Sequence, residues 1–169
     1  RDKVPDRELV ALFNEYGLKG TFNCNAGLEN ESFNYAYEER IPLSEYKKLY
    51  EGHEVACHTF THPTIARCPK EHIVRQVIED RRKLEEVMGY TVRGLAYPNG
   101  SFSDEVVDVL KACGIVHART VNATHSFDMP SVFLRWNPTC RHGDPAFEDI
   151  YNEFIKFNNY VRNFIISML

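Results

Sequence analysis

The fold is decided by residues 52–63, GHEVACHTFTHP, a stretch that holds three of the chain's seven histidines. His58 and His62 are four residues apart, which puts both imidazoles on one face whether the backbone is helical or extended. Composition chooses between the two, because the three residues between them are poor helix formers and Pro63 disfavours a helical conformation for the residue before it. The stretch therefore predicts a buried strand over residues 54–57 that opens into a loop carrying both histidines.

Such a loop allows two interpretations of the histidine pair. A loop at the end of a strand can direct two imidazoles at one metal ion and still leave a coordination position open. The alternative is a hydrogen-bonded pair of structural or surface histidines. Taken alone, the His-x-x-x-His spacing favours the alternative, so the choice depends on the rest of the chain.

The composition is that of an ordinary globular protein. A length of 169 residues suits one domain with a substantial core and is short for two. Hydrophobic residues make up 43% of the chain and charged residues 26%, and no apolar run approaches the length of a membrane span. The net charge of −4 gives no basic surface for nucleic acid. We expect neither nucleic acid nor membrane as a partner, and the sequence leaves the oligomeric state open.

The five cysteines indicate a cellular compartment weakly. They are odd in number, widely spaced and form no Cys-x-x-Cys pair, so we interpret them as buried or free thiols. Free thiols favour a reducing compartment and hence a cytoplasmic location, with secretion as the alternative. No signal peptide is visible, and we expect that the chain begins inside a domain.

Predicted strands and helices alternate along the chain. The strands are expected at residues 20–26, 54–57, 92–97, 115–120 and 132–136. The helices are expected at residues 6–16, 44–50 with Ser44 as N-cap, 69–88, 103–114 with Ser103 as N-cap, and 145–157. This alternation predicts a largely parallel α/β sheet, in which a functional site lies at the carboxyl ends of the strands.

Three segments, in order, resemble one family. Residues 52–63 resemble the second motif of the polysaccharide deacetylases, also called the NodB type or carbohydrate esterase family four. Residues 17–23, GLKGTFN, resemble the second strand of that family, and residues 96–103, AYPNGSFS, resemble its third motif. The resemblance implies a distorted, incomplete (β/α) barrel of mostly parallel strands. It also implies that residues 1–169 form a single domain truncated at both ends.

The resemblance implies a metal-dependent hydrolase that removes acetyl groups from N-acetylated sugars, with a carbohydrate as substrate. His58 and His62 correspond to the two histidine ligands of the metal, which is usually zinc, with cobalt or manganese as alternatives. The backbone N–H of Asn99 corresponds to the donor that stabilises the oxyanion. With these matches, the metal interpretation of the histidine pair is favoured over the structural one.

Further residues are candidate substrate contacts. Tyr97 and Pro98 belong to the third motif, and Trp136 corresponds to the tryptophan that walls the acetyl pocket, with a plain core role as the alternative. His142 lies in a polar loop beside Cys140. A Cys/His metal site cannot be assembled there from local ligands, so His142 is interpreted as substrate-facing or structural.

The chain also departs from the family pattern. The first motif, an Asp-Asp-Gly that supplies the catalytic base and third metal ligand, is not found, and Asp6 is interpreted as a helix cap. Residues 164–169 resemble the start of the last strand, without the histidine that acts as general acid. The arginine that orients the base is absent from the third motif, and Arg135 stands where the family has an aspartate.

These departures leave three hypotheses about function. General acid–base groups typically contribute roughly two to four orders of magnitude each, so we predict that this chain by itself is inactive or nearly so. The first hypothesis is a de-N-acetylase whose complete form is active. The second is a relative that binds carbohydrate without turning it over, and the third is a relative that hydrolyses cyclic amides or ureides.

Overall fold

Four parallel strands form the centre of the molecule. The computed structural model describes residues 3–29, 40–141 and 143–167. The strands are β1 (Thr21–Cys24), β2 (Glu54–Cys57), β3 (Gly94–Ala96) and β4 (His117–Arg119), paired in that order. Among the described residues the sheet does not close on itself, which confirms the predicted α/β architecture of an incomplete barrel.

Five helices are described, and the second, third and fourth of them connect successive strands, as parallel pairing requires. They are α1 (Lys3–Glu15), α2 (Leu43–Leu49), α3 (Lys70–Met88), α4 (Asp104–Ala112) and α5 (Phe147–Ser167). Helix α3 packs on β2 and lies between α2 and α4. Its apolar stripe, predicted from the sequence, is buried at Ile73, Val77 and Leu84. The sheet side of the core is formed by buried residues such as Phe22, Val55, Leu95 and Ala118.

Two predicted strands are wrong. Over residues 132–136 the chain forms a 3-10 turn, Phe133–Arg135, and only Trp136 pairs with the sheet, through a single parallel bridge to Arg119. Residues 164–167 continue helix α5, and residues 168–169 lie outside the described residues. Isoleucine and phenylalanine suit both a strand and an apolar helix face, so a short apolar run does not distinguish the two.

Two predicted helix caps are also wrong. Helix α2 begins at Leu43, with Pro42 at the N-cap position, so Ser44 lies inside the helix. Asp6 lies within the first turn of α1 and is buried, and its carboxylate accepts a 2.7 Å hydrogen bond from the Tyr50 hydroxyl. Ser103, by contrast, caps α4 as predicted, because its side chain accepts a hydrogen bond from the Val106 amide.

Among the described residues, the five cysteines form no disulfide, and Cys24, Cys57 and Cys113 are buried. In the part of the chain that the structure describes, no helix combines the length and apolarity that a membrane span needs. Residues 30–39, a polar stretch with several aromatic side chains, lie outside the described residues.

Candidate functional site at the carboxyl edge of the sheet

The predicted histidine pair lies in the loop that leaves the carboxyl end of β2. The ring centres of His58 and His62 are 4.7 Å apart and the rings are nearly perpendicular. Two residues of this loop have left-handed backbone conformations, Thr59 with a φ of 65° and His62 with a φ of 59°. Such values are strained for residues other than glycine, and β-branched threonine is an outlier there. The loop therefore depends on its surroundings to keep this shape.

The His58 ring is oriented by the neighbouring strand. Its Nδ1 lies 2.7 Å from the carbonyl oxygen of Ala96, the last residue of β3. A carbonyl oxygen only accepts hydrogen bonds, so Nδ1 carries the proton and the lone pair of the neutral ring is on Nε2. A backbone carbonyl bound to one ring nitrogen is a common arrangement for histidines that bind a metal through the other.

A buried carboxylate holds the amino end of the loop. Asp80 on α3 has no exposed surface, and its two oxygens accept hydrogen bonds from the amides of Ala26, at 2.7 Å, and His58, at 3.0 Å. Burial raises the pKa of this carboxyl to about 7, and the two amide hydrogen bonds act in the opposite direction. One side chain of α3 thereby joins the segments that follow β1 and β2.

Asn25 holds the same loop from the end of β1. Its side-chain amide donates hydrogen bonds to the carbonyls of His58, at 2.5 Å, and Thr59, at 2.7 Å. Asparagines near a turn usually bond to nearby residues of the chain. Here the partners are 33 and 34 residues away in the chain.

Gln76 holds the middle of the loop. Its side chain accepts a 2.8 Å hydrogen bond from the amide of Thr61 and donates a 2.9 Å hydrogen bond to the Thr61 hydroxyl, while its own carbonyl accepts from the Phe60 amide at 3.0 Å. Gln76 is 4% exposed. The sequence does carry a signal for this role. Gln76 and Asp80 are polar residues that lie among the buried positions of α3.

The turn after β3 brings the third motif to the histidine loop. Residues Pro98–Gly100 form a 3-10 turn in which Asn99 has a φ of 56°. The Asn99 side-chain amide donates a 3.3 Å hydrogen bond to the hydroxyl of Thr64, which lies just beyond the histidines in the chain. Among the described residues the backbone N–H of Asn99 has no acceptor, while the next two amides bond within the turn.

The predicted substrate contacts differ in exposure. Tyr97 and Pro98 are both buried, and the Tyr97 hydroxyl donates a 2.7 Å hydrogen bond to the Leu134 carbonyl. Trp136 is 38% exposed and its ring meets Phe133 edge to face. Of the candidate contacts with a described side chain, Trp136 therefore offers the most surface to a ligand.

The polar loop near residue 142 does not gather into a metal centre among the described residues. His142 itself lies outside them. Beside it, the carboxylate of Asp144 accepts a 2.7 Å hydrogen bond from His125, and Cys140 is half-buried. Across the described chain, no group of three or more histidine, cysteine, aspartate or glutamate side chains is placed to hold a metal ion.

The separation of the two imidazoles is compatible with binding of one metal ion by both rings. Zn–N bonds of about 2.0–2.1 Å in a tetrahedral site put the centres of two imidazole ligands roughly 5 Å apart. The observed separation of 4.7 Å is close to this, and the His58 tautomer presents a lone pair. A third protein ligand is missing among the described residues, so His58 and His62 supply two donors of an incomplete set.

Comparison with known proteins agrees with the fold and with the position of the motifs. A profile of the polysaccharide deacetylase family matches residues 2–118. A chitooligosaccharide deacetylase from Sinorhizobium fredii (strain NBRC 101917 / NGR234) is 33% identical over 81 residues, which are 47% of this chain and 38% of that protein. The chain thus spans well under half the length of this relative.

Solved structures share the architecture. The Streptococcus pyogenes deacetylase PplD in complex with acetate superposes with a TM-score of 0.64 at 19% identity, over 77% of this chain and 56% of that one. A carbohydrate esterase family four pseudoenzyme from Bacillus anthracis superposes with a TM-score of 0.57 at 24% identity, over 67% of this chain and 37% of that one. With a family profile matched over most of its length and the two motifs meeting at one sheet edge, this chain belongs to the polysaccharide deacetylase family.

Proposed function

We propose that this chain carries the metal-binding and oxyanion-binding part of a de-N-acetylase that acts on N-acetylated sugars. The observation that carries the proposal is the geometry of the histidine pair: the Nδ1 of His58 is bound to the Ala96 carbonyl, and the centre of its ring lies 4.7 Å from that of His62. The chitooligosaccharide deacetylase relative supports an oligomer of N-acetylglucosamine as substrate.

In the proposed site, His58 and His62 would hold a divalent metal ion. Imidazole suits zinc and also cobalt, so zinc is the proposed ion, with cobalt or manganese as alternatives. When bound, such an ion polarises a carbonyl oxygen and lowers the pKa of water. A shared metal ion would account for two histidines held in a strained loop at the carboxyl edge.

The turn of the third motif supplies the second part of the mechanism. Attack of water on an acetamido carbonyl places negative charge on its oxygen, and a preorganised N–H donor stabilises that charge. The backbone N–H of Asn99 has no acceptor among the described residues, and it is carried by a turn tied to the histidine loop. Trp136 is exposed enough to contact the sugar or its acetyl group.

Proton transfer is the step for which no side chain is assigned. Among the described residues, no carboxylate completes a group of three metal ligands with the histidine pair. Since a general base and a general acid each contribute roughly two to four orders of magnitude, we expect slow turnover from this chain alone.

A carbohydrate-binding protein without catalysis is the second candidate. It is favoured by the incomplete ligand set among the described residues and by the structural similarity to a family pseudoenzyme. This candidate predicts binding of the sugar without any release of acetate.

The test measures binding and turnover on the same samples. The chain, loaded with Zn²⁺, is incubated with tetra-N-acetylchitotetraose carrying a ¹³C label in its acetyl groups, and acetate is followed by NMR beside a panel of small cyclic amides. We expect sugar binding and slow acetate release that requires zinc and is lost in His58→Ala. Binding without acetate release in any sample would support the non-catalytic candidate, and hydrolysis of cyclic amides alone would overturn the proposed substrate.

A further inference from the structure

We propose that Gln76 and Asp80 of helix α3 are positioning residues that hold the His58–His62 loop in its metal-binding shape. The two side chains lie one helical turn apart on the buried face of α3 and bond to successive parts of the loop. The inference rests on the proposed function only for the identity of the ligand. The geometry of the loop is a property of the protein without metal.

Asp80 fixes the place where the loop begins. Its two carboxylate oxygens accept from the amides of Ala26 and His58, which follow different strands of the sheet. The His58 amide also donates to the Cys24 carbonyl at 2.9 Å, in continuation of the strand pairing. The backbone of His58 is therefore held from β1 and from α3, and its ring is held from β3.

Gln76 fixes the segment between the two histidines. It bonds to the Thr61 amide and hydroxyl, and its backbone carbonyl bonds to the Phe60 amide. Gly27 allows close approach on the other side, since a Cβ atom there would lie 2.6 Å from the Phe60 carbonyl oxygen. The residues between His58 and His62 are thus enclosed between α3 and the turn after β1.

The hydrogen bonds of Gln76 and Asp80 indicate that the two side chains fix the shape of the loop more than they raise the stability of the whole protein. Buried polar side chains contribute little net stability compared with apolar side chains of similar shape. The backbone groups that Gln76 and Asp80 bind belong to a loop with two left-handed residues, which the chain would not adopt by itself. Removing either side chain should therefore relax the loop and move the two imidazoles apart.

The experiment compares four variants with the wild-type chain. Gln76→Met keeps the length of the side chain and removes both of its hydrogen bonds, and Asp80→Asn replaces one of two acceptors by a donor. Gln76→Glu is the rescue variant, because a carboxylate can accept from both the Thr61 amide and the Thr61 hydroxyl. Val77→Ala is the stability control, because this buried residue of the same helix belongs to the apolar core.

Two properties are measured for each variant. In the metal-free protein, ¹⁵N NMR reports the tautomer of His58, and hydrogen exchange reports the protection of the amides of residues 58 and 61. Calorimetric titration with Zn²⁺ then gives the dissociation constant. Global stability is measured by urea unfolding, so that loop effects can be separated from general destabilisation.

We expect Gln76→Met and Asp80→Asn to lose the single Nδ1–H tautomer and the loop protection, and to bind zinc about 10–100-fold more weakly. Gln76→Glu should restore both properties, and Val77→Ala should lower only global stability. The proposal is overturned if Val77→Ala weakens zinc binding and loop protection as much as the two polar variants do. It is also overturned if the polar variants keep the wild-type tautomer and protection.

Failure of the proposed function would be recognised separately. If the wild-type chain binds no zinc, the metal assignment fails, while the tautomer and the exchange rates still decide whether α3 positions the loop. If Asp80→Asn does not fold, the Gln76→Met and Gln76→Glu pair decides the same question.

Discussion

Two edges of the same sheet each carry a histidine next to a strand, and they use it differently. At the carboxyl edge, His58 follows β2 and its ring bonds to a backbone carbonyl. At the amino edge, His117 begins β4 and its Nε2 lies 3.4 Å from the carboxylate of Glu54. The partner, a neutral carbonyl in one case and a carboxylate in the other, determines what each imidazole can do.

The amino edge is built for an ion pair. The hydrogen bond to Glu54 raises the pKa of His117, and the same bond lowers the pKa of Glu54. A protonated imidazole has no lone pair for a metal. At the carboxyl edge the Nδ1 of His58 is bonded to a neutral carbonyl, and a second imidazole lies nearby. The carbonyl partner thus suits a neutral imidazole, and the carboxylate partner suits a protonated one.

The largest expected effect tests the packing of the amino edge. A Cβ atom on Gly94 would lie 2.5 Å from Nε2 of His117 and 2.9 Å from the Glu54 carboxylate. Overpacking of this kind destabilises proteins by roughly 1–3 kcal/mol, so Gly94→Ala should lower the free energy of unfolding by that amount. Urea denaturation measures it. Gly143→Ala is the control, since nothing lies within 4 Å of a Cβ atom there.

An unchanged stability in Gly94→Ala would mean that His117 moves away easily. The ion pair would then contribute little to the amino edge, and the contrast between the two histidines would lose its structural basis.

A matched pair of Thr→Val substitutions should have opposite effects at the two edges. The Thr59 hydroxyl is buried without a hydrogen-bond partner among the described residues, whereas the Thr21 hydroxyl donates a 2.6 Å hydrogen bond to Glu54. Burying an unpaired hydroxyl costs roughly 1 kcal/mol or more, so Thr59→Val should stabilise the metal-free protein by about that much. Thr21→Val should destabilise it by about 0.5–1 kcal/mol.

Thermal and urea unfolding of both variants measure whether each substitution raises or lowers the free energy of unfolding. A loss of stability in Thr59→Val would show that its hydroxyl has a partner, and the loop would then be less strained than its geometry indicates.

The smallest expected effect is the pH dependence of the amino-edge pair. The pKa of His117 is raised from 6.5, so its contribution is complete below that pH and is lost as pH rises through the raised value. The pKa of Glu54 is lowered from 4.5, so its contribution is complete above that pH and is lost as pH falls through the lowered value. The pair should therefore stabilise the protein most between those two pH values.

The corresponding measurement is the difference in unfolding free energy between the wild-type chain and His117→Gln, followed from below the lowered pKa of Glu54 to above the raised pKa of His117. For a partly exposed pair we expect a maximum of about 0.2–1 kcal/mol. A difference that does not change with pH would mean that the pair is not ionised.

The sequence predicted the sheet well because its signals are local. Strand β2 was placed correctly at residues 54–57, and His58 was placed in the loop that follows. The apolar period of α3 and the Ser103 cap of α4 were also readable. Each of these features depends on residues that are close together in the sequence.

The remaining features depend on contacts between distant segments. The histidine loop is bonded to Asn25, Gln76 and Asp80, which are 33, 15 and 22 residues away in the chain. The spacing of apolar residues does not predict hydrogen bonds between segments so far apart. The ion pair of His117 with Glu54 was missed for the same reason, since it joins the starts of two strands that are not adjacent in the sheet. The apolar end of α5 was mistaken for a strand because its residues suit both structures.

The most direct test of the account is the zinc content of the purified chain, measured by elemental analysis after loading and dialysis. The samples are the wild-type chain, His58→Ala, His62→Ala and, as the control from the other edge, His117→Ala. We predict close to one zinc ion per chain in the wild type and in His117→Ala, and loss of the ion in the other two variants. Equal zinc content in all four samples, or none in the wild type, would contradict the assignment of the metal site to the carboxyl edge.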